Sequence, residues 1–128
     1  MRAIDTNVVV RYLTGDDPEQ AAKARKAIDS GNVFVSTTVL LECEWVLRSV
    51  YGLAARDAAT ALRAFSGLPG VTVESPNLLV GALDRAENGM DFADALHLGA
   101  AAHCAAMLTF DRSFVHTARG ESPKVAEP

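Results

Sequence analysis

Short apolar runs alternate along the chain with longer segments in which apolar residues recur every three or four positions. The runs at residues 33–35 and 71–73 each follow a glycine-containing turn, as is typical of short buried strands in a parallel sheet. Residues from about 37 to 51 and from 55 to 67 show helical spacing instead. Strands that alternate with helices in this way predict an α/β fold.

Capping residues help to place the other predicted elements. Asp17 is a favoured N-cap and Pro18 a favoured first residue for an amphipathic helix at 18–29, and Asp91 is placed to cap a later helix. The remaining predicted elements are strands at 1–4, 107–109 and 124–125 and helices at about 8–13, 77–88, 91–105 and 111–118. We predict one domain over residues 1–128: a central, mainly parallel sheet of four to five short strands with helices on both faces. Residues 119–128 are predicted to form a short C-terminal strand or tail.

Composition narrows the class of protein. Of the 128 residues, 49% are hydrophobic and 22% charged, which fits a folded domain with one buried core. No apolar stretch is long enough to span a bilayer, and Asp5 lies where a signal peptide would need apolar residues. Cys43 and Cys104 provide neither a metal-type Cys-x-x-Cys motif nor a disulfide framework. We therefore expect a cytoplasmic protein without membrane contact.

The formal charge of −4, from 12 basic and 16 acidic residues, at first opposes binding to a polyanion. That conclusion depends on where the acids lie. If bound cations neutralised four carboxylates, 12 acids would balance 12 bases, and the rest of the surface would not repel phosphate. Net charge therefore leaves nucleic acid open as a partner.

Four acidic residues are expected near the carboxyl ends of the predicted strands, where α/β sheets bind their ligands. Asp5 and Asp111 directly follow strands, and Glu42 and Asp94 lie early in helices. If the strands are parallel neighbours, the four carboxylates meet at one edge. Such a cluster needs a compensating cation, and oxygen ligands without a Cys or His framework select Mg²⁺ or Mn²⁺. The matching chemistry is metal-assisted hydrolysis of a phosphodiester bond.

The order of short motifs around these acids resembles that of the PIN-domain ribonucleases. The motifs, in chain order, are Ile4-Asp5-Thr6-Asn7, Leu40-Leu41-Glu42, Asp94-Ala95-Leu96 and Thr109-Phe110-Asp111-Arg112-Ser113-Phe114. Each motif is weak alone, but four in register with the α/β pattern over residues 2–114 are a strong signal. In length, the chain is similar to the VapC toxins of bacterial toxin–antitoxin pairs.

The resemblance implies a Mg²⁺- or Mn²⁺-dependent endoribonuclease in which Asp5, Glu42, Asp94 and Asp111 form the acidic cluster. Asp5 and Asp94 would hold the metal most directly. The residues expected to orient carboxylates, waters or substrate are Thr6, Asn7, Asp91, Thr109, Arg112 and Ser113. The partners implied are an RNA substrate, a second copy of the chain in a homodimer, and an antitoxin that forms a heterotetramer or larger complex.

Ordinary structural roles compete with these assignments. Asp5, Asp91 and Asp111 each stand where a helix N-cap is favoured, and the first turn of a helix favours an acid such as Asp94. Glu42 lies among apolar residues and needs a metal, a basic partner or the edge of the sheet. Glu44 points about 200° around the helix from Glu42, so we expect it to be solvated.

Other residues have equally simple interpretations. His97 is more often packed or hydrogen-bonded than a ligand at this spacing, and Trp45, Tyr51 and Phe65 are expected in the core or at a dimer surface. Arg112 is either a phosphate contact or a solvated turn residue. The bases that either flank the RNA backbone or form an ordinary helix exterior are Arg11, Lys23, Arg25 and Lys26.

Three other functions fit parts of the pattern. A phosphoacceptor receiver domain shares the fold order, but Glu74-Ser75-Pro76 replaces its acceptor Asp after the third strand and Lys124 follows no clear strand end. A phosphatase of the haloacid-dehalogenase type would need an acid at Asn7. A non-catalytic RNA- or protein-binding module is the third alternative, although all four acids are intact.

Overall fold

The elements of a computed structural model, which describes residues 1–128, largely follow the predicted order. Five strands are present: β1 (Arg2–Ala3), β2 (Val33–Val35), β3 (Val71–Val73), β4 (Ala106–Leu108) and β5 (Lys124–Ala126). The seven helices are α1 (Thr6–Thr14), α2 (Pro18–Asp29), α3 (Thr37–Ser49), α4 (Ala55–Ser66), α5 (Pro76–Glu87), α6 (Phe92–Ala100) and α7 (Arg112–Thr117). This arrangement confirms the predicted α/β class.

The strands pair as two parallel sheets. The three-stranded sheet has the order β1-β2-β3, with Ala3 opposite Phe34 and Phe34 opposite Thr72. The two-stranded sheet pairs β4 with β5. The pairing is parallel, as predicted, and the five strands are divided between two sheets rather than joined in one central sheet.

The chain divides into two compact units, Met1–Pro76 and Asn77–Pro128. The first unit contains the three-stranded sheet and buries one face of each of its longer helices. In α3, that face consists of Leu40, Cys43, Glu44 and Leu47, at the i, i+3, i+4 and i+7 positions of a helical stripe. Phe65 of α4 is fully buried and meets Tyr12 of α1 edge to face at 5.8 Å between ring centres.

Two glycine-containing turns precede β2 and β3 and bring their backbones together. Gly31 and Gly70 both have positive φ angles, 77° and 82°. A Cβ atom on Gly70 would lie 2.7 Å from the Cα of Gly31, closer than real Cβ contacts, and the Gly70 carbonyl accepts a hydrogen bond from the Val33 amide at 2.9 Å. Only glycine fits at position 70 without moving backbone.

The second unit consists of α5 to α7 and the β4-β5 pair. Its buried side chains include Leu83 of α5, Phe92 and Leu98 of α6, and Phe114 of α7. Helix α6 ends at Ala100 rather than near residue 105, because Ala101 leaves helical geometry and successive turns carry the chain into β4. None of the helices combines the length and apolar character that a bilayer crossing requires.

Candidate functional site

The first acidic group consists of Asp5, at the N-terminus of α1, and Glu42 of α3, which are linked by Thr6, the first residue of α1. Asp5 follows β1, has extended backbone geometry and accepts a hydrogen bond from the Thr6 amide at 2.7 Å. The Thr6 hydroxyl donates to the Glu42 carboxylate, and Thr6 is itself only 8% exposed. A buried threonine therefore links both carboxylates, through its amide to Asp5 and through its hydroxyl to Glu42.

Cys43 is affected by the negative charge of this group. Its side chain is fully buried, and Sγ lies 3.8 Å from the Thr6 carbonyl, to which it donates. Burial, and then the charges of Glu42 and Asp5, raise the pKa of the Cys43 thiol to about 12. The thiol stays protonated at neutral pH and adds no third negative charge.

A cavity of about 360 Å³ opens beside the first acidic group. Its lining residues are Asp5, Thr6, Asn7, Val10, Arg11, Glu42, Val46, Val50 and Tyr51. Tyr51, expected in the core or at a dimer surface, is half-buried and binds polar partners here: its hydroxyl donates to Asp16 and accepts from Arg11, both at 2.9 Å. Tyr51 lies beyond the last residue of α3, Ser49, although helical spacing predicted the helix to about residue 51.

The second acidic group lies between the start of α6 and the start of α7 and consists of Asp91, Asp94 and Asp111. Asp94 stands in the first turn of α6. Burial first, then the charges of Asp91 and Asp111, raise the pKa of Asp94, and His97 opposes the shift. The Asp94 carboxyl therefore lies in a field of like charge.

Two members of this group are helix caps. Asp91 accepts a hydrogen bond from the Asp94 amide at 3.2 Å, and Asp111 accepts from the Ser113 and Phe114 amides at 2.9 and 3.3 Å. Each cap uses one carboxylate oxygen. Asp5 differs, because its side chain accepts only from the first helical amide. Asp91 and Asp111 thus have the predicted capping role through one oxygen each, and Asp5 has it only in part.

The other residues predicted around the acids lie at the ends of the same elements. The Thr109 hydroxyl accepts a hydrogen bond from the Asp111 amide at 3.0 Å. Arg112 is 93% exposed, with Nε 3.7 Å from a Glu127 oxygen. Asn7 is exposed, and Ser113 contributes its amide to the Asp111 cap. The roles of these residues toward metal or substrate stay predictions.

Three expectations about single residues are wrong or need narrowing. Glu44, expected in solvent, is 2% exposed and accepts two hydrogen bonds from the Arg48 guanidinium, at 2.6 and 2.9 Å. An Arg four residues after a Glu was the available signal. His97, expected to be packed or hydrogen-bonded, is exposed. Trp45 is 56% exposed, which excludes it from the core and leaves its place at a dimer surface as a prediction.

The donor set is chemically suited to a hard divalent cation. Asp5 and Glu42 in the first unit, and Asp91, Asp94 and Asp111 in the second, offer carboxylate oxygens. No group of three or more His, Cys, Asp or Glu side chains is arranged to hold a metal ion. Mg²⁺ in proteins is commonly held by one or two carboxylates together with water, so the oxygen donors present fit such an ion.

Comparison with known proteins gives one finding about the family. The sequence model of the PIN domain matches residues 3–120, nearly the whole chain. PIN domains are generally nucleases that use divalent metal ions, so this match supports a nuclease. Comparisons with curated proteins and with solved structures gave no match.

Proposed function

Because the chain belongs to the PIN domain family, we propose that it is a Mg²⁺- or Mn²⁺-dependent endoribonuclease that acts as the VapC-like toxin of a toxin–antitoxin pair. The reaction is hydrolysis of RNA phosphodiester bonds. The carboxylates assigned to it are those of Asp5, Glu42, Asp94 and Asp111. The family membership supports a nuclease, and the four residues are assigned from their motifs.

One observation carries the proposal: none of the four carboxylates forms an ion pair. Acids with a structural role in the same chain do, as Glu44 pairs with Arg48 and Glu121 with Arg85. An acid near others of its kind and without a basic partner is costly unless a cation binds there or its proton is retained. Asp94, whose pKa is raised by burial and by its acidic neighbours, has the electrostatics expected of a cation ligand.

The proposed roles are those that the PIN-domain motifs imply for these residues. Asp5 and Asp94 would hold the metal most directly, with Glu42 and Asp111 as further oxygen donors. Thr6 fixes Glu42 through its hydroxyl, and Thr109 meets the Asp111 amide. When bound, Mg²⁺ or Mn²⁺ supplies Lewis-acid chemistry that makes water nucleophilic and stabilises negative charge on the phosphate.

Cleavage of RNA by the purified protein tests the enzymatic part of this proposal. A mixture of transfer, ribosomal and messenger RNA is incubated with Mg²⁺ or Mn²⁺, and the products are mapped by sequencing. We expect discrete cuts that EDTA abolishes and that Asp5→Asn or Asp94→Asn reduces at least about 100-fold, because loss of even an outer partner of a metal ligand commonly costs 10- to 100-fold.

The matched control is Asp29→Asn, which removes an exposed carboxylate at the end of α2, outside both acidic groups. It should cleave like the original protein. Cleavage that survives EDTA and both active-site substitutions refutes the assignment. Binding of RNA without any cleavage, under all metal conditions, favours a non-catalytic module instead.

The toxin role and the partners are tested in cells. Induced expression is expected to arrest growth, whereas Asp94→Asn is not. Co-expression of a small DNA-binding protein encoded in the adjacent reading frame should restore growth and co-purify as a heterotetramer or larger complex. Light scattering of the protein alone should give the mass of a homodimer. Normal growth despite full RNA cleavage in vitro removes the toxin assignment and keeps the nuclease.

A further inference from the structure

Two neighbouring cavities of the unit Met1–Pro76 share lining residues along α1. One is the cavity beside Asp5 and Glu42 described above. The other, of about 350 Å³, lies between α1 and α2; its lining residues are Asn7, Val8, Arg11, Gln20, Lys23, Ala24 and Ala27. Asn7 and Arg11 line both cavities. We call the second cavity, with these shared residues, the α1–α2 groove.

The charge of the α1–α2 groove has one sign. Arg11 and Lys23 are the only ionisable side chains that line it, and no carboxylate does. Its other lining side chains are small, apolar or amide-bearing. Arg25 and Lys26 lie on the same helix and are exposed, but they do not line the groove. Of the four bases considered as RNA contacts, Arg11 and Lys23 therefore line the groove, whereas Arg25 and Lys26 lie outside it.

Arg11 is held in place by hydrogen bonds from two of the three nitrogens of its guanidinium. Nε donates to Gln20 at 2.9 Å, and Nη1 donates to Tyr51 at 2.9 Å and to Asp16 at 3.5 Å. Nη2 makes no hydrogen bond within the chain. A fixed arginine with a free Nη2 group is suited to phosphate, because Nη2 can donate to a phosphate oxygen without further ordering of the side chain.

On the premise of the proposed ribonuclease, we propose that the α1–α2 groove binds the backbone of single-stranded RNA, with Arg11 and Lys23 each contacting a phosphate. The groove is adjacent to the cavity that holds Asp5 and Glu42, so a strand along it leads to these acids. Arg11 and Lys23 pair only at 3.5 Å, with Asp16 and Glu19, and no carboxylate lines the groove itself. A groove lined by two cations complements a polyanion, whereas the apolar face of a partner helix has no need of them. Arg11 and Lys23 are thus positioning residues for the substrate.

The test measures binding of a fluorescein-labelled 12-nucleotide RNA of mixed sequence in the presence of EDTA, so that the proposed metal-dependent cleavage cannot proceed. Fluorescence anisotropy gives the association constant between 25 and 200 mM NaCl. Neutralising one phosphate contact on a single strand is expected to reduce the slope of log K against log salt by about 0.7. We expect this reduction, and a several-fold weaker affinity at low salt, for Arg11→Gln and for Lys23→Gln.

The matched controls are Arg25→Gln and Lys26→Gln, which change the net charge equally and lie on the same helix outside the groove. They should leave the slope unchanged within error. Arg11→Lys should restore most of the slope lost in Arg11→Gln, because it keeps the charge. Lys23 makes only an exposed ion pair with Glu19 at 3.5 Å, so Lys23→Gln keeps the test valid if Arg11→Gln fails to fold.

Equal effects of all four neutralising substitutions overturn the inference, because they would show non-specific attraction. Absence of RNA binding by the original protein also overturns it. RNA cleavage that requires Asp94, together with unaltered slopes in the Arg11 and Lys23 variants, refutes the groove and leaves the proposed function intact. If the Arg11 and Lys23 variants show the expected slopes but the original protein cleaves no RNA, the proposed enzymatic activity is refuted and the groove is kept as an RNA-binding surface. Loss of antitoxin binding in both variants, with unaltered RNA slopes, assigns the groove to a protein partner and refutes the inference.

Discussion

Several acids of the unit Met1–Pro76 have a donor or a cation beside them, and Asp94 of the unit Asn77–Pro128 differs from them. In Met1–Pro76, Glu44 is paired with Arg48, Asp16 with Arg11, and Glu42 accepts from the hydroxyl of Thr6. In Asn77–Pro128, Asp94 has two other aspartates near it and only the charge of His97 in opposition, and its pKa is raised.

This difference shows two ways in which a fold tolerates negative charge. A donor or a cation stabilises the ionised carboxylate, whereas a carboxyl without one retains its proton more readily. A metal ion therefore has more to add in the second unit, where protein cations contribute least. The predictions below test this contrast, beginning with the largest expected effect.

The two cysteines should differ in reactivity by orders of magnitude. The rise in the pKa of Cys43 from 9.0 to about 12 lowers its thiolate fraction at pH 8 by about 1,000-fold, and only thiolate reacts. Iodoacetamide should therefore label exposed Cys104 and spare buried Cys43, as peptide mass spectrometry can show. In the Cys104→Ser variant, labelling of the remaining Cys43 should require unfolding with guanidinium chloride. Rapid labelling of native Cys43 would contradict the described burial beside Glu42.

Removal of Arg48 should cost the most stability. Arg48→Ala leaves the Glu44 carboxylate, 3% exposed, without its guanidinium, and loss of one partner from a buried ion pair costs roughly 3 kcal/mol. Urea unfolding measures the change. Lys23→Ala is the matched control, because it breaks another i, i+4 pair whose side chains are 76% and 82% exposed, worth roughly 0.5 kcal/mol. Equal losses would show that burial of Glu44 carries no penalty.

Mn²⁺ should stabilise the folded chain. The second acidic group should contribute more to this stabilisation than the first. A ligand at 100 times its dissociation constant adds about 2.7 kcal/mol to the free energy of unfolding. Thermal unfolding with and without Mn²⁺ should show this gain in the original protein and in Asp29→Asn. It should be much reduced in Asp94→Asn. An undiminished gain in Asp94→Asn would place the bound ion elsewhere.

The smallest effect concerns pH in the presence of EDTA. Because the pKa of Asp94 is raised in the folded state, the fold binds that proton more tightly than the unfolded chain does. Ionisation of Asp94 therefore costs stability as pH rises through the folded-state pKa, and costs nothing well below the ordinary value of 3.8. Asp94→Asn should be more stable than the original protein at pH 7, and this advantage should vanish toward pH 3. The opposite sign would show that Asp94 gains a favourable partner on folding.

Local sequence signals predicted most elements of the fold well. Helix α2 and strands β2 and β3 have the predicted bounds, because Asp17, Pro18 and the glycine turns define them locally. The predicted end of α6 was wrong. Residues 101–105 have good helix propensity, but in the structure they form turns that lead into β4. Strand pairing was only partly predictable, because sequence spacing does not say which strands share a sheet.

The candidate site was predictable as a set of residue types and less so as an arrangement. The motifs identify Asp5, Glu42, Asp94 and Asp111, and their role in catalysis stays a prediction. The hydrogen bond from Thr6 to Glu42 and the shared cavity of Arg11 and Tyr51 join residues about 36 to 40 positions apart. No periodicity encodes such pairs. Helical angles placed Glu44 opposite Glu42 but did not show that this side is the buried one.

The contact between Gly31 and Gly70 limits how this sequence can diverge. Any side chain at position 70 meets main-chain atoms of the neighbouring turn rather than a flexible group that could yield. Saturation mutagenesis of this codon should therefore recover almost only glycine, whereas Gly15 and Gly52, with open space around them, should accept Asn or Asp. Position 70, which is not one of the candidate acids, should therefore remain glycine in any related sequence that keeps this turn.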